Sequence, residues 1–242
     1  MFPSIVMLHH VDAPHESLKA WSVTKNKFLE LLNFLETNGY TTITFKEIVD
    51  SRNQILSKGA KNIILTFDDG PKNLLEFVIP ELVRRKMKAS FYIPTAHIGK
   101  YNSWNVEEGM ARMELMNEED IKEVHKCGME VGSHSHRHIR LKHMSAAVIK
   151  QEVELSRNIL EGIIDDKVCS FAFPYASVPA GHEEILSSAG YKYGLSIYQA
   201  FENKFALRRV GFYEKDTEKS LRFKFSKSYK WLRTIYDPTK KY

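Results

Sequence analysis

Cysteine is nearly absent from this chain. Only Cys127 and Cys169 occur, and two cysteines cannot make the disulfide framework of a small bridged scaffold. Cys127 falls near an expected helix end and Cys169 at a strand start, so buried free thiols are expected, which permits a reducing compartment. Long apolar runs are missing too. No stretch reaches the roughly 18 apolar residues a spanning helix needs. The opening Met1-Phe2-Pro3-Ser4 carries no basic region or apolar core. A secretory leader is therefore not expected, and the sequence alone points to the cytoplasm. There is no internal repeat and no low-complexity segment.

What remains describes an ordinary globular protein. Hydrophobic residues make up 43% and charged residues 27%, a balance that supports one packed core. At 242 residues one large domain is possible, and α/β barrels often have this size. Short β-branched runs alternate with helical patterns along most of the chain. Ile5-Val6-Met7-Leu8 reads as a strand. Residues 24–36 read as a helix, with Phe28, Leu31, Leu32 and Leu35 at helical spacing, Thr24 as cap and Gly39 beyond the end. Thr41 to Phe45 reads as a strand, followed by a short helix opened at Thr44. Helices are expected over Leu74–Lys86, with Leu75, Val78, Ile79, Leu82 and Val83 inward. Others are expected over Glu118–Lys126 behind Asn117, over Ser145–Ile164 with Val148, Val153, Ile159, Leu160 and Ile163 inward, and over 182–189. Pro80 should kink or restart its helix. Residues 95–116 read as irregular. Strand followed by helix, repeated, predicts a barrel of parallel strands.

Two stretches carry chemistry. The apolar run Ile63-Ile64-Leu65 leads into Thr66-Phe67-Asp68-Asp69-Gly70, and Pro71 follows. Such a run suits a strand buried on both faces. Catalytic groups of parallel barrels sit just past strand ends. Adjacent acids repel and need a cation or a proton. A solvated Asp-Gly turn reads the same in isolation. The second stretch is Met129-Glu130-Val131-Gly132-Ser133 followed by His134-Ser135-His136-Arg137-His138. It places three of the chain's ten histidines within five residues. A catalytic zinc takes three protein ligands and keeps a position open for water. One Asp and two His make such a set, and His134 and His138 could share one face of a helical turn. The alternative is a solvated, basic, His-rich loop.

Together, TFDDG at 66–70 and His-Ser-x-x-His at 134–138 resemble the polysaccharide deacetylases, carbohydrate esterase family 4, also called the NodB homology domain. The resemblance runs from about Ile5 to Phe212. It implies an α/β fold, a distorted (β/α)7 TIM-like barrel. It implies Asp68 as catalytic base, with Asp69, His134 and His138 as ligands of a divalent metal. Zinc is the default, and Co2+, Ni2+ or Fe2+ also suit such a site. Leu8-His9-His10-Val11 resembles the N-terminal pattern of apparently permuted members. His10 would then be the general acid, with a capping or surface histidine as the alternative. Strand alternation lets only one of the pair face the mouth, so His9 is assigned a structural place. Cys169-Ser170-Phe171-Ala172-Phe173-Pro174-Tyr175 resembles the family's third motif, in which the backbone N–H of Tyr175 would hold an oxyanion. Ala176 replaces the usual glycine. The arginine that often precedes this motif is absent, and Arg209 is a candidate substitute, a surface arginine being the alternative. Trp104 could stack on a sugar or simply pack.

The implied activity is removal of N-acetyl groups from amino sugars of a glycan or glycan precursor. The alternatives are hydrolysis of O-acetyl esters or cyclic amides, or a non-catalytic glycan-binding domain of the same fold. Residues 1–218 would form the catalytic barrel. The tail, 219–242, differs: it has eight Lys or Arg and one acid, a surplus of seven against a formal +5 for the whole chain. The rest is therefore slightly acidic. Leu221, Phe225, Leu232 and Tyr236 fall near one face of an expected helix, with Trp231 close by. Peripheral contact with an anionic membrane is one reading, and a helix packed on the barrel is the other. No motif supports nucleic-acid binding.

Overall fold

A computed structural model describes residues 2–13, 15–57, 59–197 and 202–235. In chain order the strands are β1 Ser4–Leu8, β2 His10–Val11, β3 Ser22–Val23, β4 Thr41–Thr42, β5 Asn62–Phe67, β6 Ser90–Ile93, β7 Glu130–Ser133, β8 Ser170–Ala172, β9 Tyr193–Ser196, β10 Leu207–Arg208 and β11 Val210–Gly211. The helices are α1 Lys25–Thr37, α2 Phe45–Asp50, α3 Leu74–Arg84, α4 Ser103–Glu107, α5 Glu118–Lys126, α6 Ala146–Ile164, α7 His182–Ser188, α8 Glu218–Lys224 and α9 Lys227–Ile235.

The main sheet runs β10-β9-β8-β7-β6-β5-β1-β11, all parallel, with β4 paired to β5. Its two ends, β10 and β11, are separated by Arg209 alone. The segment 207–211 therefore closes the sheet on itself, and seven strand positions form a distorted (β/α)7 barrel. Side chains alternate across the wall, as the two-residue period demands. Ile5, Ile64, Tyr92, Ala172, Leu195 and Leu207 form one buried cluster. Their neighbours Val6, Leu65, Phe91 and Phe171 join the larger cluster with the helices. Interior space is tight: a Cβ on Gly132 would lie 2.4 Å from the Tyr92 ring.

The helices start where their caps stand. Thr24, Thr44, Asn117, Ser145 and Thr217 each accept a backbone N–H in the first turn, satisfying a donor the helix leaves open. Several expectations shift at the edges. The strand after Thr41 ends at Thr42, because Thr44 caps α2 and commits Phe45 to that helix. Val83, expected inward, is 46% exposed, and Leu74, not expected there, is buried with Val78, Ile79 and Leu82. In α6 Val153 and Leu160 are inward as expected, while Ile149, Glu152, Ser156 and Ile164 complete the buried face in place of Val148, Ile159 and Ile163. Residues 95–116 contain α4 and a 3-10 turn at Thr95–His97. The tail forms two helices with a break after α8. Leu221 and Phe225 pack into the main core, Leu232 and Trp231 are exposed, and Tyr236 lies outside the described residues. No helix among those described is long and apolar enough to cross a membrane.

Candidate metal centre and active site

The site is assembled by residues one step beyond the strands. Asp68 N–H donates to Leu8 O, His134 N–H to Ile93 O and Arg209 N–H to Ser196 O. Each bond continues a strand ladder by one rung, so these side chains inherit fixed positions at the carboxyl ends. The chain then turns sharply. Asp69, Ser135, His138, Tyr175 and Ala176 all have φ between +53° and +70°, a left-handed backbone that non-glycine residues seldom adopt. Such conformations cluster where surrounding structure over-determines them, which is typical of functional sites. His134 and His138 thus meet across a left-handed loop and not across a helical turn.

Asp69, His134 and His138 come together. Oδ1 of Asp69 lies 3.4 Å from His134 Nε2 and 3.2 Å from His138 Nε2. One ligand atom from each residue falls within 4.8 Å of the others. All three residues are buried. His134 Nδ1 lies 2.7 Å from Ala172 O. A carbonyl only accepts, so Nδ1 carries the proton and Nε2 of the neutral ring presents a lone pair. Asp69 Oδ1 has no hydrogen-bond partner among the described residues despite its burial. A buried carboxylate oxygen facing two imidazole nitrogens fits a cation, and this donor set suits a zinc-type ion. Burial opposes charge on Asp69, and protonation of the facing His134 and His138 would hold its carboxyl well below the usual range.

Asp68 sits beside this triad, 2% exposed. Arg209 is no surface arginine: it is 1% exposed and grips Asp68 with two bonds of 2.6 Å, Nη1 to Oδ1 and Nη2 to Oδ2. Burial disfavours the Asp68 charge, but Arg209 and His134 outweigh it and keep the carboxyl below its ordinary value. Each carboxylate oxygen still has a free lone pair.

Both N-terminal histidines reach the cavity, a correction to the structural place expected for His9. β1 ends at Leu8, so strand alternation does not force the pair apart. His9 Nε2 lies 4.0 Å from Asp68 Oδ2. His10 is 1% exposed, and its Nδ1 has no hydrogen-bond partner among the described residues. Burial pushes the His10 pKa down to about 4, against the pull of Asp69, so the resting ring is neutral at neutral pH. Tyr175 lies with its ring 4.8 Å from that of His138. Trp104 is 8% exposed and stacks on His138 at 4.0 Å, so one of its faces is already covered.

Sequence reading did not single out two other contributors. Glu152, fully buried on α6, accepts from the N–H groups of His136 and Arg137 and from Arg137 Nε at 2.6–3.0 Å. It clamps the histidine loop, and its only sequence signal is an acid within an apolar stripe. Trp21, 43% exposed, lines the cavity with its ring 5.2 Å from His9.

A poly-beta-1,6-N-acetyl-D-glucosamine N-deacetylase of Staphylococcus aureus is 24% identical over 194 residues, 75% of this chain and 63% of that protein. The chain therefore spans less than two thirds of that relative. Two solved structures share the fold. Streptococcus pyogenes deacetylase PplD has a TM-score of 0.78 and 20% identity, covering 93% of this chain and 98% of that one. IcaB from Ammonifex degensii has a TM-score of 0.74 and 19% identity, covering 91% and 96%. Residues 56–194 match the family described as polysaccharide deacetylase. That match takes in more than half of the sequence, including Asp68, Asp69, His134, His138 and Tyr175, and the chain belongs to the polysaccharide deacetylase family.

Proposed function

We propose that the protein is a metal-dependent deacetylase that hydrolyses N-acetyl groups of amino sugars in a glycan. The observation that carries this reading is one buried carboxylate oxygen facing two imidazole nitrogens, with a second, arginine-held carboxylate beside it. Asp69, His134 and His138 would hold the divalent ion, zinc by default. When bound, such an ion polarises a carbonyl and lowers the pKa of a water.

The chain's own groups then divide the work. Asp68 takes the proton of the attacking water. Arg209 keeps Asp68 ionised and fixes its orientation. A water oxygen bonds to the carbonyl carbon, the C–N bond breaks, and acetate and the free amine leave. The Tyr175 N–H is assigned to the developing oxyanion, where one aimed donor is worth about 3–4 kcal/mol. His10 is assigned to protonate the amine. Because its resting ring is neutral, it must acquire that proton during the cycle. His9, nearer to Asp68, is the competing donor, and comparing His10→Gln with His9→Gln separates the two. The polymer named for the Staphylococcus aureus relative is the first substrate to test.

A paired substitution tests the assignment. Asp69→Ala should lose both bound metal and acetate release. Asp68→Asn should keep metal and lose activity by about 10²–10⁴-fold, the usual worth of a general base. An active Asp68→Asn enzyme would overturn this division of roles.

A further inference from the structure

A surface helix normally turns its apolar stripe to the core and its charges to water. α9 is turned the other way. Its barrel side is polar: Tyr229, Lys230 and Arg233 are half-buried. Lys230 Nζ donates to Phe2 O at 2.6 Å, and Arg233 Nη2 to Ile197 O at 2.7 Å. Its outer side carries Trp231, Leu232 and Ile235, which are 65%, 45% and 59% exposed. Ile235 stands four and three positions from the other two, so all three share one face. Exposed apolar groups gathered in one patch, unlike scattered ones, mark an interaction surface.

The charge around this face selects what it meets. From Lys219 to Ile235 the chain has six Lys or Arg and no acid. Arg222 pairs with Glu218 and Lys224 with Asp216. No ion pair among the described residues engages Lys219 or Lys227, and both are exposed. Lys227 precedes Trp231 by one helical turn and lies on the same face. A second copy of the chain docking here would set these lysines against their own kind. An anionic lipid surface suits both features, with apolar side chains among the acyl chains and lysines at the headgroups. Tryptophan fits that boundary, since its ring is apolar and its N–H needs a partner. We propose that the outer face of α9 docks on an anionic membrane surface. The bonds on its inner side fix where that surface lies. Ile197, held by Arg233, lines the cavity around Asp68 and Asp69, so the docked surface borders the mouth of the barrel. The proposal goes beyond the deacetylase reading and stands apart from it, because docking needs no substrate.

The test is sedimentation of the full chain with vesicles of phosphatidylglycerol and, separately, of phosphatidylcholine. Two uncompensated lysines at the surface should make wild-type binding to phosphatidylglycerol tighter by about tenfold or more. Lys219→Glu with Lys227→Glu should erase that preference. Trp231→Ser with Ile235→Ser should weaken binding to phosphatidylglycerol by about tenfold or more. All four positions are exposed, so these changes remove no core packing. Absence of wild-type binding to phosphatidylglycerol, or binding that neither double variant lowers, overturns the proposal. A concentration-dependent dimer without vesicles that Trp231→Ser with Ile235→Ser dissolves also overturns it, because a second copy then covers the face. A chain that docks but releases no acetate from any N-acetylated glycan leaves the docking in place and counts against the deacetylase reading alone.

Discussion

The floor and the mouth of the barrel each bury a carboxylate, and they treat it in opposite ways. Glu130 on β7 and Asp69 after β5 are both 6% exposed. Glu130 accepts from Phe45 N–H at 2.8 Å, Ser90 Oγ at 2.6 Å, Ser170 Oγ at 2.7 Å and Cys169 Sγ at 3.4 Å. Among the described residues Asp69 Oδ1 has no hydrogen bond. Burial raises the Glu130 pKa despite its donors, whereas a positive charge on the facing imidazoles would hold Asp69 well down. A saturated buried acid ties elements together. An unsatisfied one, kept charged, is ready for a ligand.

The largest expected break in this contrast comes from Arg209. Arg209→Met leaves Asp68 buried without its cation. Breaking a buried pair this way costs about 3–5 kcal/mol of stability, measurable by urea unfolding, and activity should fall by more than about 10²-fold. A variant of wild-type stability would show that Asp68 is not charged in the fold. Glu152→Gln comes next. It disturbs three bonds at the histidine loop and should cost about 1–3 kcal/mol. It should also weaken metal binding by about 10–100-fold, as expected for groups that support ligands. Glu130→Gln should cost a similar 1–3 kcal/mol yet leave metal affinity, measured by competition with a chelating dye, unchanged. If both glutamine variants shift metal affinity equally, the two ends of the barrel are not separable.

Much of this was legible in the sequence because it is local. The Asp-Asp pair and the paired histidines stand directly after apolar runs, so their place at strand ends follows from the pattern of the chain. The parallel barrel follows from strand and helix alternating. What stayed hidden depends on closure. Arg209 lies 141 positions from Asp68 in sequence, and only the meeting of β10 and β11 around it aims its guanidinium inward. Glu152 answers to backbone N–H groups, which leave no mark in a residue pattern. His9 reaches the cavity because β1 stops one residue early, and strand ends are poorly marked by propensity. The tail's periodicity suggested one helix, but the core takes Leu221 and Phe225 from its first half alone.

The smallest effect probes the mouth's backbone. Ala176 stands where the family motif has glycine, and its φ is +53°. A side chain in that conformation costs roughly 1–2 kcal/mol through the clash of Cβ with the following carbonyl. Glycine removes the clash but loses more freedom on folding, worth about 0.5–1 kcal/mol. The balance favours glycine by about 0.5 kcal/mol, so Ala176→Gly should raise the melting temperature by about 1–2 °C for a domain of this size. Ala147, exposed near the start of α6, provides the control, because Ala→Gly within a helix loses up to about 1 kcal/mol. The two alanines should therefore move the melting point in opposite directions. If both lower it, the left-handed turn at the mouth carries no strain, and its backbone is as relaxed as the floor's.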